Sequence, residues 1–202
     1  MAGVRVDRGT VSGTFSLDGE THEVENNIWV VGDDDECVVI DAPHDVDAIL
    51  EVVGGRQVKA ILCTHAHDDH VRVAPELRKR TGAPILLHPD DRPVWELTHT
   101  DELWDADLAD GQSVKVAGAA LKVLHTPGHA PGAVCFYVHD LDCVFSGDTL
   151  FSGGPGATGR SFSDEDLIKE SIRTRLFDLP DATVVHTGHG DDTTIGAERD
   201  HV

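Results

Sequence analysis

The sequence predicts a mixed α/β fold, and three observations carry the prediction. Apolar residues make up 40% of the 202 residues, enough for the core of one domain of ordinary size. Strand-like runs alternate with runs of helical spacing in both halves of the chain. No Pro/Gly/Ser-rich linker, repeat or low-complexity tract separates the halves, so a single domain over residues 1–202 is expected.

Each element has its own signal. Residues 27–31 and 37–41 are apolar runs flanking the acidic turn 32–36, which predicts a hairpin. Residues 44–53 place Val46, Ile49, Leu50 and Val53 at helical spacing, and Gly54-Gly55 ends the run. Residues 58–64 read as a buried strand, 73–80 as a short helix closed by Thr81-Gly82, 83–88 as a strand and 89–97 as a helix. In the second half, 113–118 with 120–126 and 133–140 with 142–148 predict two hairpins. A Gly-rich loop, 152–159, follows. Residues 163–177 predict a helix with Ser163 as N-cap and Glu165 and Asp166 in its first turn. Residues 182–188 predict a last strand, and the tail from Asp191 is polar.

Charge narrows the function. There are 37 acidic side chains against 16 basic ones, a formal charge of −21, which repels nucleic acid and anionic membranes as partners. No run of about 18 apolar residues is present, and the first 13 residues lack the apolar stretch of a secretory signal. A cytoplasmic protein is expected. Cys37, Cys63, Cys135 and Cys143 each sit in an apolar run without a C-x-x-C pair, so reduced core thiols are expected. The 13 histidines are what composition leaves open.

Their placement carries chemistry. Thr64-His65-Ala66-His67-Asp68-Asp69-His70 begins where the apolar strand 58–63 ends. Strand side chains have period two, so His65 and His67 point the same way, and Asp69 and His70 follow on the turn. Imidazole and carboxylate are ligands for zinc, iron or manganese. Further His or Asp residues, each beside glycine or another small residue, follow three later strands: His125-Thr126-Pro127-Gly128-His129, Ser146-Gly147-Asp148-Thr149 and His186-Thr187-Gly188-His189-Gly190. Glycine lets backbone approach a shared site closely.

These four segments, in this order, resemble the metallo-β-lactamase superfamily, and within it the hydroxyacylglutathione hydrolase (glyoxalase II-like) branch. The resemblance rests on residues 64–70, 125–132, 146–151 and 187–198 and covers roughly residues 25–198. It implies an α+β, αββα sandwich, with two mixed β-sheets face to face, helices outside and metals at one edge. It also implies two divalent metal ions, zinc first and iron or manganese also suited to the donors. His65, His67 and His129 would hold the first ion. Asp69, His70 and His189 would hold the second, and Asp148 would bridge both. Asp69 would in addition orient a metal-bound hydroxide. The implied reaction is hydrolysis of a small thioester, the thiol being of glutathione or mycothiol type. A one-iron persulfide dioxygenase and a lactone or phosphoester hydrolase are rivals on the same fold. A non-enzymatic binding protein is disfavoured because all seven ligands are present. The dioxygenases carry Ala-His-Asp-Tyr where this chain has Thr187-Gly188-His189-Gly190, which favours the hydrolases. An aspartate rather than a thiolate at 148 argues against antibiotic hydrolysis.

Only 13 residues follow His189, so the chain resembles the short form of the branch, without the C-terminal glutathione-binding domain. Arg72 and Arg160 are candidates to contact substrate; the alternatives are an ion-paired arginine opening a helix and a brace for the Gly-rich loop. His125 and His186 are read as neighbours of the site rather than ligands, and His44 as the other histidine to approach it. Trp95 and Trp104 are read as core residues, with a wall over the substrate as the alternative.

Overall fold

Alternation along residues 28–31 decides how the first sheet is used. Ile28 and Val30 face one side and Trp29 and Val31 the other, and all four are buried, so both faces of this strand must be covered. The computed structural model, which describes residues 3–202, meets that demand with two six-stranded sheets packed face to face. The first sheet runs in chain order: β1 (Arg5–Leu17), β2 (Glu20–Gly32), β3 (Glu36–Ile40), β4 (Gln57–Leu62), β5 (Ile85–Leu87) and β6 (Ala106–Asp107). Its first three strands pair antiparallel and the rest parallel. The second sheet contains β7 (Ser113–Val116), β8 (Ala119–His125), β9 (Val134–Val138), β10 (Cys143–Gly147), β13 (Val184–Thr187) and β14 (Thr193–Thr194). Here β10 and β13 are parallel neighbours. A two-stranded ribbon, β11 (Leu150–Phe151) with β12 (Gly154–Pro155), folds the Gly-rich loop back on itself.

Apolar side chains form three layers. Trp29, Val38, Ile40 and Leu62 meet Leu121, Val123, Phe136 and Phe145 between the sheets. Outside the first sheet, α1 (Val46–Val53), α3 (Ala74–Thr81) and α4 (Arg92–Thr98) press Ile49, Leu77 and Trp95 onto Val30, Val39 and Ile61. Outside the second, α5 (Glu165–Ser171) and the wider π-helical turn 172–176 bring Ile168, Ile172 and Leu176 onto Cys135 and Val144. This is the αββα sandwich. The four cysteines are buried and free, and among the described residues no helix is long and apolar enough to cross a membrane.

The structure differs from the sequence reading in three places. Residues 5–26, left unassigned, complete a long hairpin around Asp18-Gly19, both at positive φ. An Asp-Gly pair suits such a two-residue turn. The N-cap of α5 is Asp164, whose side chain accepts from the Leu167 amide; Ser163 instead accepts from the Gly159 and Arg160 amides. The aspartate side chain reaches the free amides at the start of the helix while Ser163 is occupied by the preceding loop. The polar tail is also ordered, as β14 and the short helix α6 (Ile195–Glu198), because Ile195 is fully buried.

Candidate metal centre

The four motifs meet at one edge of the sandwich because four strands end there. After β4, the Thr64 amide and hydroxyl both donate to Asp41, at 2.7 and 2.8 Å. The Ala66 amide donates to Asp91 at 2.7 Å, and the Gly132 amide donates to the other oxygen of the same carboxylate. Asp91 therefore ties the first motif to the loop that carries His129. The short helix α2 (Asp68–Val71) presents Asp69 and His70. Glycine is required where the strand ends crowd together. A Cβ at Gly188 would lie 2.3 Å from Asp148 Oδ1, and Gly147, at φ +50°, would place one 2.5 Å from the Thr64 hydroxyl.

Two groups of donors result. His67 Nδ1 lies 3.0 Å from His65 Nε2 and 3.0 Å from His129 Nε2. Beside this triad, His70 Nε2, His189 Nε2 and Asp69 Oδ2 lie 3.2 to 3.5 Å from one another. Asp148 stands between the groups. Its Oδ1 is 3.3 Å from His70, and its Oδ2 is 3.4 Å from His189 and 3.6 Å from His129.

The outer hydrogen bonds define the tautomers. The Thr64 hydroxyl donates to Asp41, so its oxygen accepts from His65 Nδ1. His70 Nδ1 donates to Asp41, His129 Nδ1 to the Ala157 carbonyl and His189 Nδ1 to the Glu25 carbonyl, each at 2.8 Å. With these N–H groups pointing outward, the Nε2 atoms of His65, His70, His129 and His189 all face shared points, where each offers a lone pair once it carries no proton. Asp148 Oδ1 is buried with no hydrogen-bond partner among the described residues. Converging lone pairs and an orphaned carboxylate oxygen repel one another unless cations lie between them. Zinc–nitrogen bonds of ~2.0–2.1 Å suit nitrogens at this separation. The donor set fits a pair of divalent ions.

Electrostatics separates the two groups. Burial pushes the basicity of His65 and His129 down, and that of His67 down to about 3, so the triad is neutral. Burial also opposes charge on His70 and His189, but the facing carboxylates together outweigh it, Asp148 first, then Asp69 and, for His70, Asp41. His70 is raised well above the usual imidazole range and His189 to about 10. Asp69 and Asp148 are held below the usual carboxylate range, because facing imidazoles overcome the burial penalty.

The centre opens into a cleft of about 360 Å³. His67, Asp69, His129, Asp148 and His189 form its floor; Phe15, Val24, Glu25, Ala157, Arg160, Ser161 and Ser163 form its walls. Arg160 lies over the Phe15 ring at 5.1 Å and contacts His22 at 3.1 Å. Among the described residues no carboxylate lies within ion-pair distance of it. Arg72 is not in the wall; it pairs with Asp68 and donates to the Thr14 carbonyl. His125 stacks on His88 and donates to the Pro131 carbonyl, while His186 contacts Asp192 and packs on Trp29. His44 approaches the centre through Asn26. Trp95 is fully buried in the helix layer and Trp104 packs against it, so neither walls the cleft.

Sequence reasoning missed Asp41, Asp91, Asn26 and Phe15. The first two carry no motif spacing. Asn26 and Phe15 belong to the unassigned hairpin, whose Asp18-Gly19 turn was the available signal.

Comparison with known proteins agrees with this geometry. The model of the metallo-β-lactamase superfamily matches residues 23–189, a span that contains all seven candidate ligands. Hydroxyacylglutathione hydrolase GloC of Haemophilus influenzae is 32% identical over 191 residues, 87% of this chain and 90% of its own. The solved structure of the BLEG-1 B3 metallo-β-lactamase superposes with a TM-score of 0.80 at 30% identity, over 95% of this chain and 97% of the other. That of TTHA1623 in a di-iron-bound form gives a TM-score of 0.78 at 32% identity, over 95% and 98% of the two chains. In sequence and in fold, this chain belongs to the metallo-β-lactamase superfamily.

Proposed function

We propose that the protein is a binuclear metal-dependent hydrolase acting on the thioester of a small thiol. The observation that carries the reading is the pair of donor groups joined by Asp148, opening on a cleft. Two divalent ions at such a centre supply Lewis acidity toward a carbonyl oxygen and a water-derived nucleophile near neutral pH. The protein's own groups do the rest. Asp69 Oδ2 faces His189 and accepts from Asn26, which leaves Oδ1 to accept a hydrogen bond from the attacking water and aim it. Phe15 and Val24 give the cleft apolar walls that limit water around the acyl group. Apart from the candidate ligands, Glu25 and Arg160 are the ionisable groups in the wall, and neither is a dedicated proton donor to a leaving group. A thiol, with a pKa near ~8.5, departs as its anion without one, whereas an alcohol does not. Similarity to GloC supports the same substrate class, and similarity to a di-iron form leaves the metal open between zinc and iron.

The test is turnover of S-lactoylglutathione and of a mycothiol thioester by fully metallated wild-type protein and by Asp148→Ala. Thioester turnover lost in the variant is the expected result. Both thioesters inert with metal bound would overturn the reading. Faster turnover of a β-lactam would redirect it toward BLEG-1, and one iron per chain with oxygen uptake on a persulfide toward a dioxygenase.

A further inference from the structure

Three consecutive residues of β2 brace the second donor group. The Glu25 carbonyl accepts from His189 Nδ1. The Asn26 side chain, 1% exposed, donates to both the carbonyl and Oδ2 of Asp69, each at 3.1 Å. Asn27 donates from its backbone to the Gly188 carbonyl at 2.8 Å, and from its side chain to the Thr187 and Gly190 carbonyls on either side of His189. The first group, His65, His67 and His129, receives no hydrogen bond from β2 among the described residues; it rests on Thr64 and Ala157.

Asn26 is itself oriented. His44 Nε2 donates to its carbonyl oxygen at 2.8 Å, which leaves the NH₂ end for Asp69. The reversed amide would set its oxygen against two oxygens of Asp69 and its NH₂ against an N–H of His44. The His44 ring needs the space beside Gly13 on β1, where a Cβ would lie 2.2 Å from it.

Resting on the two-ion reading above, we propose that Asn26 is the positioning residue for Asp69. Held by His44, it sets the affinity of the second metal position independently of the first. A ligand carboxylate fixed by an outer hydrogen bond is preorganised, and loss of such a partner typically weakens metal binding by ~10–100-fold.

The experiment is a zinc titration against a competing chelator, with metal content per chain, on wild type, Asn26→Leu and His44→Phe. Leucine keeps the approximate size and removes both donors; phenylalanine keeps a ring beside Gly13 and removes the N–H. The expected result is an unchanged first equivalent and a second equivalent ~10–100-fold weaker in Asn26→Leu, with a smaller loss of the same kind in His44→Phe. Equal weakening of both equivalents, or a second equivalent within twofold of wild type, overturns the proposal. Should Asn26→Leu fail to fold by circular dichroism, His44→Phe decides by the same criterion. Wild type that takes up one ion overturns the two-ion reading itself, and the proposal with it. Two ions without selective loss overturn the proposal alone. The thioester assay does not enter the measurement.

Discussion

Asp41 is the residue on which both donor groups converge, and Asp41→Asn isolates its role. Its two oxygens accept from the Thr64 amide, the Thr64 hydroxyl and His70 Nδ1, at 2.7 to 2.8 Å. Asparagine has nearly the same shape and tolerates the positive φ of 62° at this position, so backbone strain is not added. An amide accepts at one end only. The least costly orientation keeps the two bonds at Oδ2 and turns the NH₂ onto the Thr64 amide. That leaves two buried donors, the Thr64 amide and the new NH₂, facing each other without an acceptor, at about 1–3 kcal/mol each, and turns two bonds to a charged acceptor into neutral ones, at about 1 kcal/mol each. The sum is roughly 4–8 kcal/mol, and at ~2–4 °C per kcal/mol for a chain of this size it lowers the melting temperature of the metal-free protein by roughly 8–30 °C. Because Asp41 serves His70 directly and His65 through Thr64, both metal equivalents are expected to weaken, unlike in Asn26→Leu. The assay is thermal unfolding in chelator followed by metal titration. A melting temperature within 2 °C of wild type together with unchanged affinity at both positions would falsify this account of the Asp41 network.

Four further outcomes are expected. The second donor group holds protons at pH 7 in the metal-free protein and the first does not, so metal uptake at the second position should release protons and strengthen as pH rises. The raised His189, at about 10, adds stability that is fully present below the ordinary imidazole value of ~6.5 and is lost as pH rises through about 10; the metal-free melting temperature should therefore fall between pH 7 and 10. Calorimetry in buffers of different ionisation enthalpy and pH-dependent melting check both, and a flat profile counts against them. Gly188→Ala puts a methyl group 2.3 Å from Asp148 Oδ1 and 2.8 Å from the His70 ring, so hydrolytic turnover should drop at least ~100-fold, and the crowding, at ~1–3 kcal/mol, should also lower the melting temperature; normal turnover would show that the strand end yields freely. Arg160→Ala should raise KM for a thioester bearing a carboxylate and leave a neutral analogue unaffected, since Arg160 has no carboxylate partner in the wall; equal effects on both substrates would assign it to bracing the loop.

Elements with strong periodicity were legible before the structure. The runs that became β3, β4, β8, β9 and β10 are short, apolar and punctuated by turns, and those that became α1 and α3 end on Gly54 and Gly82, each in the left-handed conformation expected of a helix stop. The hairpin of β1 and β2 was not legible over residues 5–26 because its outer part is half-exposed and alternates weakly. It is stabilised by pairing over 13 residues and by α1 packing against it, neither of which leaves a local hydrophobic signature. The exchange of Ser163 for Asp164 at the start of α5 has the same origin. Both residue types cap well, and the Arg160 and Gly159 amides decide which is free to do so.

The site divides along a similar line. Residues that act by their own chemistry announce themselves, because histidines and aspartates at four strand ends, three of them beside glycine, are improbable as surface decoration. Residues that act by holding another residue do not. Asp41 lies 23 positions before Thr64, Asp91 lies 41 before Gly132 and Asn26 lies 43 before Asp69. Each is a common polar residue whose meaning depends on a partner brought close only by the sheets. This has a consequence for substitution. Exchanging a ligand removes a metal bond outright, whereas exchanging Asn26 or Asp41 leaves every ligand present and alters only how firmly it is held. Beyond their shared support from Asp41, the two positions are braced differently, the first by Ala157 and the second by β2. In this chain, then, the number of ions held would depend on the bracing from β2 as well as on the seven candidate ligands.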